Sequence, residues 1–193
     1  MFKKMLLLAS MALAASAVAI PAVASAEEWG HEGNPIEAPV TIHLTGNIKF
    51  EQTGPGSPSM SCPVTANIKL TPGTTGHVTN FGVTNTAGCT GGGALAGCQV
   101  ESVTSTASEA SPWSATLSGG AVGINGFDVT NVYKKAETCP VAGSTVIDGG
   151  AGQEAIATPT EGKLCHFVIS GTAAGSVDLS GTLTATTCTY EII

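Results

Sequence analysis

The amino-acid sequence predicts an all-β protein: an antiparallel β-sandwich stapled by disulfides and preceded by a segment that is removed. Three observations lead there. Short runs place apolar residues at every second position, clusters of Gly, Pro, Asn and Ser interrupt them, and six cysteines follow a strongly apolar N-terminus. A period of two is the repeat of a half-buried strand. Such strands at about ten-residue spacing, parted by turn signals, build sandwiches or barrels, and of the two we expect a sandwich.

The first 26 residues read as a secretory signal peptide. Lys3 and Lys4 open the chain, an apolar stretch runs over 5–23, and Ala24-Ser25-Ala26 puts small residues at the cleavage positions. That order marks an export signal instead of a membrane span. No later stretch offers about 18 consecutive apolar residues, so the mature chain is expected to have no membrane span. The formal net charge is −7 with no arginine, and it falls further once the two leader lysines are gone. Nucleic acid is therefore not an expected partner, because binding it needs cations that replace phosphate counterions.

Residues 27–39 hold Glu27, Glu28, Glu32 and Glu37 with Pro35, Pro39 and two glycines, and are expected to form a flexible acidic lead. A single sandwich domain should occupy 40–193, with an immunoglobulin-like or jelly-roll-like arrangement. Its first strand places Val40, Ile42, Leu44, Ile48 and Phe50 on one parity, with Thr41, His43, Thr45, Asn47 and Lys49 on the other. The turn residues of 53–58 must reverse the chain. The second strand repeats the design, with Cys62, Val64, Ala66, Ile68 and Leu70 inward, and Thr71-Pro72-Gly73 ends it.

Further β runs follow at 78–84, 98–105, 113–117, 122–133, 145–147, 163–170 and 177–193. The run 122–133 carries a bulge or turn signal at Asn125-Gly126. In the last run Val177, Leu179, Leu183 and Ala185 share one parity while Cys188, Tyr190 and Ile192 share the other, which calls for a bulge near Thr186-Thr187 or burial of both faces. The only helix-compatible stretch of note, 153–157, is too short to matter. Leu44-Thr45-Gly46 and Leu179-Ser180-Gly181 open two segments of like pattern. They are suited to pairing or descend from a duplication, although half-buried Gly-Thr strands resemble one another in any case.

All six cysteines lie after the leader: Cys62, Cys89, Cys98, Cys139, Cys165 and Cys188. An even number in an exported chain reads as disulfides. Fifteen connectivities are open, and sequence does not choose among them. The best guess is Cys89–Cys98, which would close the Gly-rich loop 90–97 and offset about 2–3 kcal/mol of its ordering entropy. Zinc sites usually pair cysteines two to four residues apart, whereas the nearest pair here is nine apart, so no metal is expected.

No catalytic set assembles. There is no Gly-x-Ser-x-Gly elbow, nor the strand-to-helix turn it needs. His31, His43, His77 and His166 have no local partner to orient them as a triad requires. His31-Glu32 starts like a zinc-protease motif, but Pro35 stands where the second histidine belongs. The acids are scattered singly, without the paired carboxylates of glycoside hydrolysis. Residues 148–154 look distantly like a calcium loop yet lack its alternating oxygen ligands. Gly91-Gly92-Gly93-Ala94-Leu95-Ala96 matches a dinucleotide fingerprint in letters only, with no helix after it. Trp113, entering a strand after Pro112, is first a core anchor and second a possible ligand contact. Trp29 falls in the lead.

In order along the chain these elements resemble those of the secreted bacterial alkane-oxidation activator (PraB-like) family of small exported proteins. The likeness rests on the Cys62 strand, on Cys98 followed by Pro112-Trp113-Ser114, on the segment 124–129, on Cys139 and on the Ser180-Gly181-Thr182-Leu183-Thr184 run. It spans roughly 44–189, and Cys165 and the insertion 141–163 depart from it. The resemblance implies a β-rich exported protein linked with the cell surface, hydrocarbon use and biofilm material. It brings no catalytic residues.

The expected function is that of a secreted or cell-surface accessory protein acting by contact. It needs no catalysis, cofactor or metal, and its partner is an unknown surface, glycan or protein. Self-association is the first alternative: an extracellular fibre or biofilm-matrix component templated by 177–185, if that strand lies on an exposed edge. The second is a small secreted hydrolase whose site converges only in the fold.

Overall fold

Alternating Thr and Val, Ile or Leu residues produce β-structure throughout the computed structural model, which describes residues 27–134, 143–147, 155–173 and 177–193. The strands are β1 (Trp29–His31), β2 (Asn34–Pro35), β3 (Val40–Gln52), β4 (Ser59–Leu70), β5 (Thr75–Val83), β6 (Thr90–Gly92), β7 (Gln99–Ser105) and β8 (Trp113–Ser118). They continue with β9 (Ala121–Asn125), β10 (Val129–Lys134), β11 (Gly143–Ile147), β12 (Ala155–Pro159), β13 (His166–Ala173), β14 (Val177–Ala185) and β15 (Tyr190–Ile192). The signal-peptide segment, Cys139 and the whole of the calcium-loop look-alike lie outside the described residues.

Eight strands form an up-and-down ring. In the series β3, β4, β5, β8, β9, β12, β13, β14 each strand pairs antiparallel with the next, and β14 pairs back onto β3. The main sheet is thus a closed barrel where a sandwich of two sheets is expected from sequence. Alternation looks the same in both, so the pattern does not distinguish them. What closes the ring is the β3–β14 seam, from Val177 opposite Gln52 to Ala185 opposite Leu44. These are the two segments that echo each other in sequence. A Cβ at Gly46 or at Gly181 would overlap the backbone of the facing strand, so glycine lets the two chains cross closely there.

Closure also removes the edge on which the fibre reading relied. Residues 177–185 are β14, hydrogen-bonded to β13 on one side and β3 on the other. The bore is apolar: Ile42, Leu44, Ile48 and Phe50 of β3 and Cys62, Val64, Ala66, Ile68 and Leu70 of β4 are buried, on the parity the sequence predicts. Thr41, His43, Thr45 and Asn47 face out. That arrangement is the inverse of a membrane barrel, whose outer band is apolar. Among the described residues no helix is long and apolar enough to cross a membrane.

Two small sheets are added. β11-β10-β7 lies beside the barrel, where Val100, Val103 and Val129 join the core cluster. The run 122–133 breaks at Gly126 (φ +83°) and divides into β9 and β10, with Phe127 buried between them. The second sheet, β15-β1-β2, explains the parity change in the last run: β14 ends at Ala185, and Tyr190–Ile192 belongs to another sheet. Of the helix-compatible stretch 153–157, residues 155–157 belong to β12, and 153–154 lie outside the described residues.

Residues 27–39 are not the flexible lead that their acids and prolines predict. Trp29 is completely buried. Its indole N–H donates to the Thr75 carbonyl at 2.8 Å, and its backbone N–H donates to Gly73. Glu28 and Ile193 exchange two backbone hydrogen bonds. One aromatic side chain and a three-residue strand anchor the segment, too short a pattern for periodicity to reveal.

Candidate functional site

The bore offers little room. Among the described residues, two wholly apolar voids of about 30 and about 10 Å³ line the bore, meeting at Ile68. An eight-stranded barrel is just wide enough for side chains to fill, and here they fill it. At one mouth Trp29 is the stopper. At the other, Trp113 lies 4.5 Å from Phe127 between ring centroids, Phe81 is 5.5 Å from both, and Phe50 is 6.5 Å from Phe127.

Trp113 accordingly sits in the core. It is 4 % exposed, and its indole N–H donates to Thr106 Oγ1 at 3.1 Å. Its polar atom is satisfied and its ring is covered by aromatic neighbours, which is the anchoring role of the two the sequence allows.

The antiparallel ring sorts the connections by end. Turns 71–74, 119–120 and 160–165 lie at the end under Trp29, hereafter the cap end. The long excursions 84–112 and 126–154 both leave from the opposite end. There, Asn85 Oδ1 accepts from the Ala87 backbone N–H and starts the tight turn Thr86–Gly88. β6 then adds to β4, with Thr90 opposite Ser61. That pairing brings Cys89 beside Cys62, and these two form a disulfide with Cα atoms 4.2 Å apart.

Cys89 is therefore not paired with Cys98, contrary to the expectation from sequence. Cys98 is itself disulfide-bonded, and not to Cys89, whose partner is Cys62. The loop 90–97 is also not devoid of packing, since β6 pairs and Leu95 is buried. Cys165 bonds Cys188 at the cap end.

Among the described residues, two surface clefts stand out. The larger, about 310 Å³, lies at the excursion end between the turn Thr86–Gly88 and β7, lined by Thr86, Ala87, Cys89, Gln99, Val100 and Glu101. Its floor is Cys89 and Val100, both buried, while Gln99 and Glu101 stand on the rim. The other, about 230 Å³, lies beside the cap sheet and is lined by Glu32, Lys163, Cys188, Thr189, Tyr190 and Glu191. Both fall near the lower limit of small-ligand sites.

The histidines stay apart. His43 Nδ1 is 2.8 Å from Asn67 Oδ1, and His166 Nδ1 is 3.3 Å from Thr184 Oγ1, both on the outer wall. The His31 ring packs against Tyr190, with centroids 5.3 Å apart. Among the described residues no group of three His, Cys, Asp or Glu side chains converges as metal ligands do. Of the cleft residues the sequence draws attention only to Cys89, Cys188, Glu32 and Tyr190, and it gives none of them a binding role, because each cleft joins distant segments. Gly33 and Glu191, hydrogen-bonded at the cap, are 158 residues apart.

Compared with known proteins, the chain matches no protein-family model, no curated protein and no solved structure.

Proposed function

We propose that the chain is an exported, non-catalytic interaction module. The filled barrel is its scaffold, and the described parts of the connections 84–112 and 126–154 carry its recognition surface. The observation behind this reading is the asymmetry of the ring: both long connections and the larger cleft occur at one end, while the other end has short turns. Recognition residues are commonly carried on loops that a rigid scaffold positions. The signal-peptide pattern, the disulfides and the resemblance to the alkane-oxidation activator family support an envelope or extracellular address, with a surface, glycan or protein as partner.

The test is retention of the purified exported protein on isolated envelope material and exported polysaccharide of the producing cells. Replacing Gln99 and Glu101 by Ala, both exposed on the rim, should abolish retention and leave the thermal melt unchanged. Undiminished retention of that variant would refute the assignment of the surface. Substrate turnover lost on substitution of one carboxylate or histidine would replace the whole reading by the hydrolase.

A further inference from the structure

We infer that the cleft beside the cap sheet is a second binding site, independent of the excursion end, and that it takes a neutral polyhydroxylated ligand such as one hexose unit of a glycan. Its chemistry is mixed in a specific way. Glu32 and Glu191 bring carboxylates, Lys163 brings an ammonium, and half-buried Tyr190 brings a ring braced by His31. An anion would meet two carboxylates at the cleft, with Glu27, Glu28 and Glu37 on the same segment. A cation would meet Lys163. A neutral sugar suits both signs, because carboxylates accept from its hydroxyls, the ammonium donates to its oxygens and an aromatic ring covers its C–H face.

The charged groups are left available for such a ligand. Among the described residues, Glu32, Glu191 and Lys163 enter no ion pair. Glu191 Oε1 accepts the Gly33 backbone N–H at 2.6 Å, which orients the carboxylate and leaves Oε2 uncommitted. Covalent and backbone links tie the set together. Cys188 is bonded to Cys165, Lys163 bridges Glu191 through the backbone, and the Leu164 N–H donates to the Tyr190 carbonyl.

Glu32 adds an independent sign. It adopts φ +53° in the turn before Gly33 (φ +77°), a conformation that favours Gly or Asn. A carboxylate stands where a glycine would relax the backbone.

The experiment is a titration of the ¹⁵N-labelled exported protein with glucose, galactose, mannose and N-acetylglucosamine, and separately with choline and with sulfate. At least one sugar should move the Gly33, Tyr190 and Glu191 amides saturably, with a Kd of about 1 mM. Glu32→Gly should raise the melting temperature yet weaken that sugar about tenfold, and Tyr190→Leu should do the same to affinity alone. The assignment is overturned if none of the four sugars moves these amides, if choline or sulfate moves them instead, or if Glu32→Gly binds as the parent does.

Discussion

The two mouths of this barrel meet the same requirement, covering an apolar bore, with opposite kinds of parts. At the excursion end the cover is built in. Phe50, Phe81 and Trp113 come from the ring strands, and Phe127 follows β9 directly. At the cap end the cover is applied from outside the ring by the segments at both ends of the described chain, through strands of two and three residues and one buried indole. An internal cover should fail only when the barrel fails. An applied one should come off by itself, since its contacts are few and its strands short.

The largest expected effect sharpens that contrast. Trp113→Ala should destabilise the whole barrel by about 3–5 kcal/mol, the usual range for deleting a buried aromatic. It would shift the urea midpoint seen by every probe together. Trp29→Ala removes an equally buried ring but should act locally. Hydrogen exchange should accelerate in β1, β2 and β15 while the β3 and β4 amides stay protected. Loss of protection round the entire ring in Trp29→Ala would show that the cap is part of the cooperative core.

Disulfides give the next contrast. Cys62–Cys89 and Cys165–Cys188 span similar separations, 27 and 23 residues, so chain entropy gives each about 3.5 kcal/mol. They differ in access. Cys62 is fully buried and Cys89 nearly so, whereas Cys188 is exposed. Thiol attack depends on access to sulfur. Limited reduction followed by alkylation and peptide mapping should label Cys165 and Cys188 before Cys62 and Cys89. Equal labelling would mean that the bridge on β4 opens as readily as the one at the cap.

What was legible in the sequence follows the same division. The inward parity of Ile42 to Phe50 and of Cys62 to Leu70 could be read directly, because it is written in consecutive residues of one strand. The likeness of 44–50 and 179–185 pointed to two strands that do pair. Ring closure was not legible, since Thr and Ile alternate alike in an open and a closed sheet. The partner of Cys89 was hidden too, because it follows from β6 pairing with β4 and not from spacing among cysteines. The cap and its cleft were least visible. Trp29 finds its hydrogen-bond acceptor 46 residues away and Gly33 finds Glu191 158 away, so no window of sequence contains either site.

The seam between the echoing strands supplies a smaller effect. Gly181→Ala places a methyl against the Asn47 carbonyl and the Ile48 Cα, backbone atoms that cannot rotate aside. Overpacking of this kind costs about 1–3 kcal/mol. The loss should appear first as faster exchange along β3 and β14, measured by the same amides that report on the caps. An unchanged midpoint would show that the ring is not held closed at this crossing.

The smallest effect has the opposite sign and bears on why the applied end keeps a strained residue. Placing an L residue in the left-handed region costs about 1–2 kcal/mol. Glycine pays none of that steric penalty but loses more freedom on folding. Glu32→Gly should therefore stabilise the protein by at most about 1 kcal/mol, measured as a higher urea midpoint with an unchanged slope. The gain should be confined to the cap, slowing exchange at β1 and β15 and leaving the aromatic end untouched. If the variant is instead less stable, the Glu32 side chain is structural in the turn. A stabilised variant leaves ligand contact as the reason for a carboxylate at that position, and places a binding role at the end of the barrel that is easiest to lift.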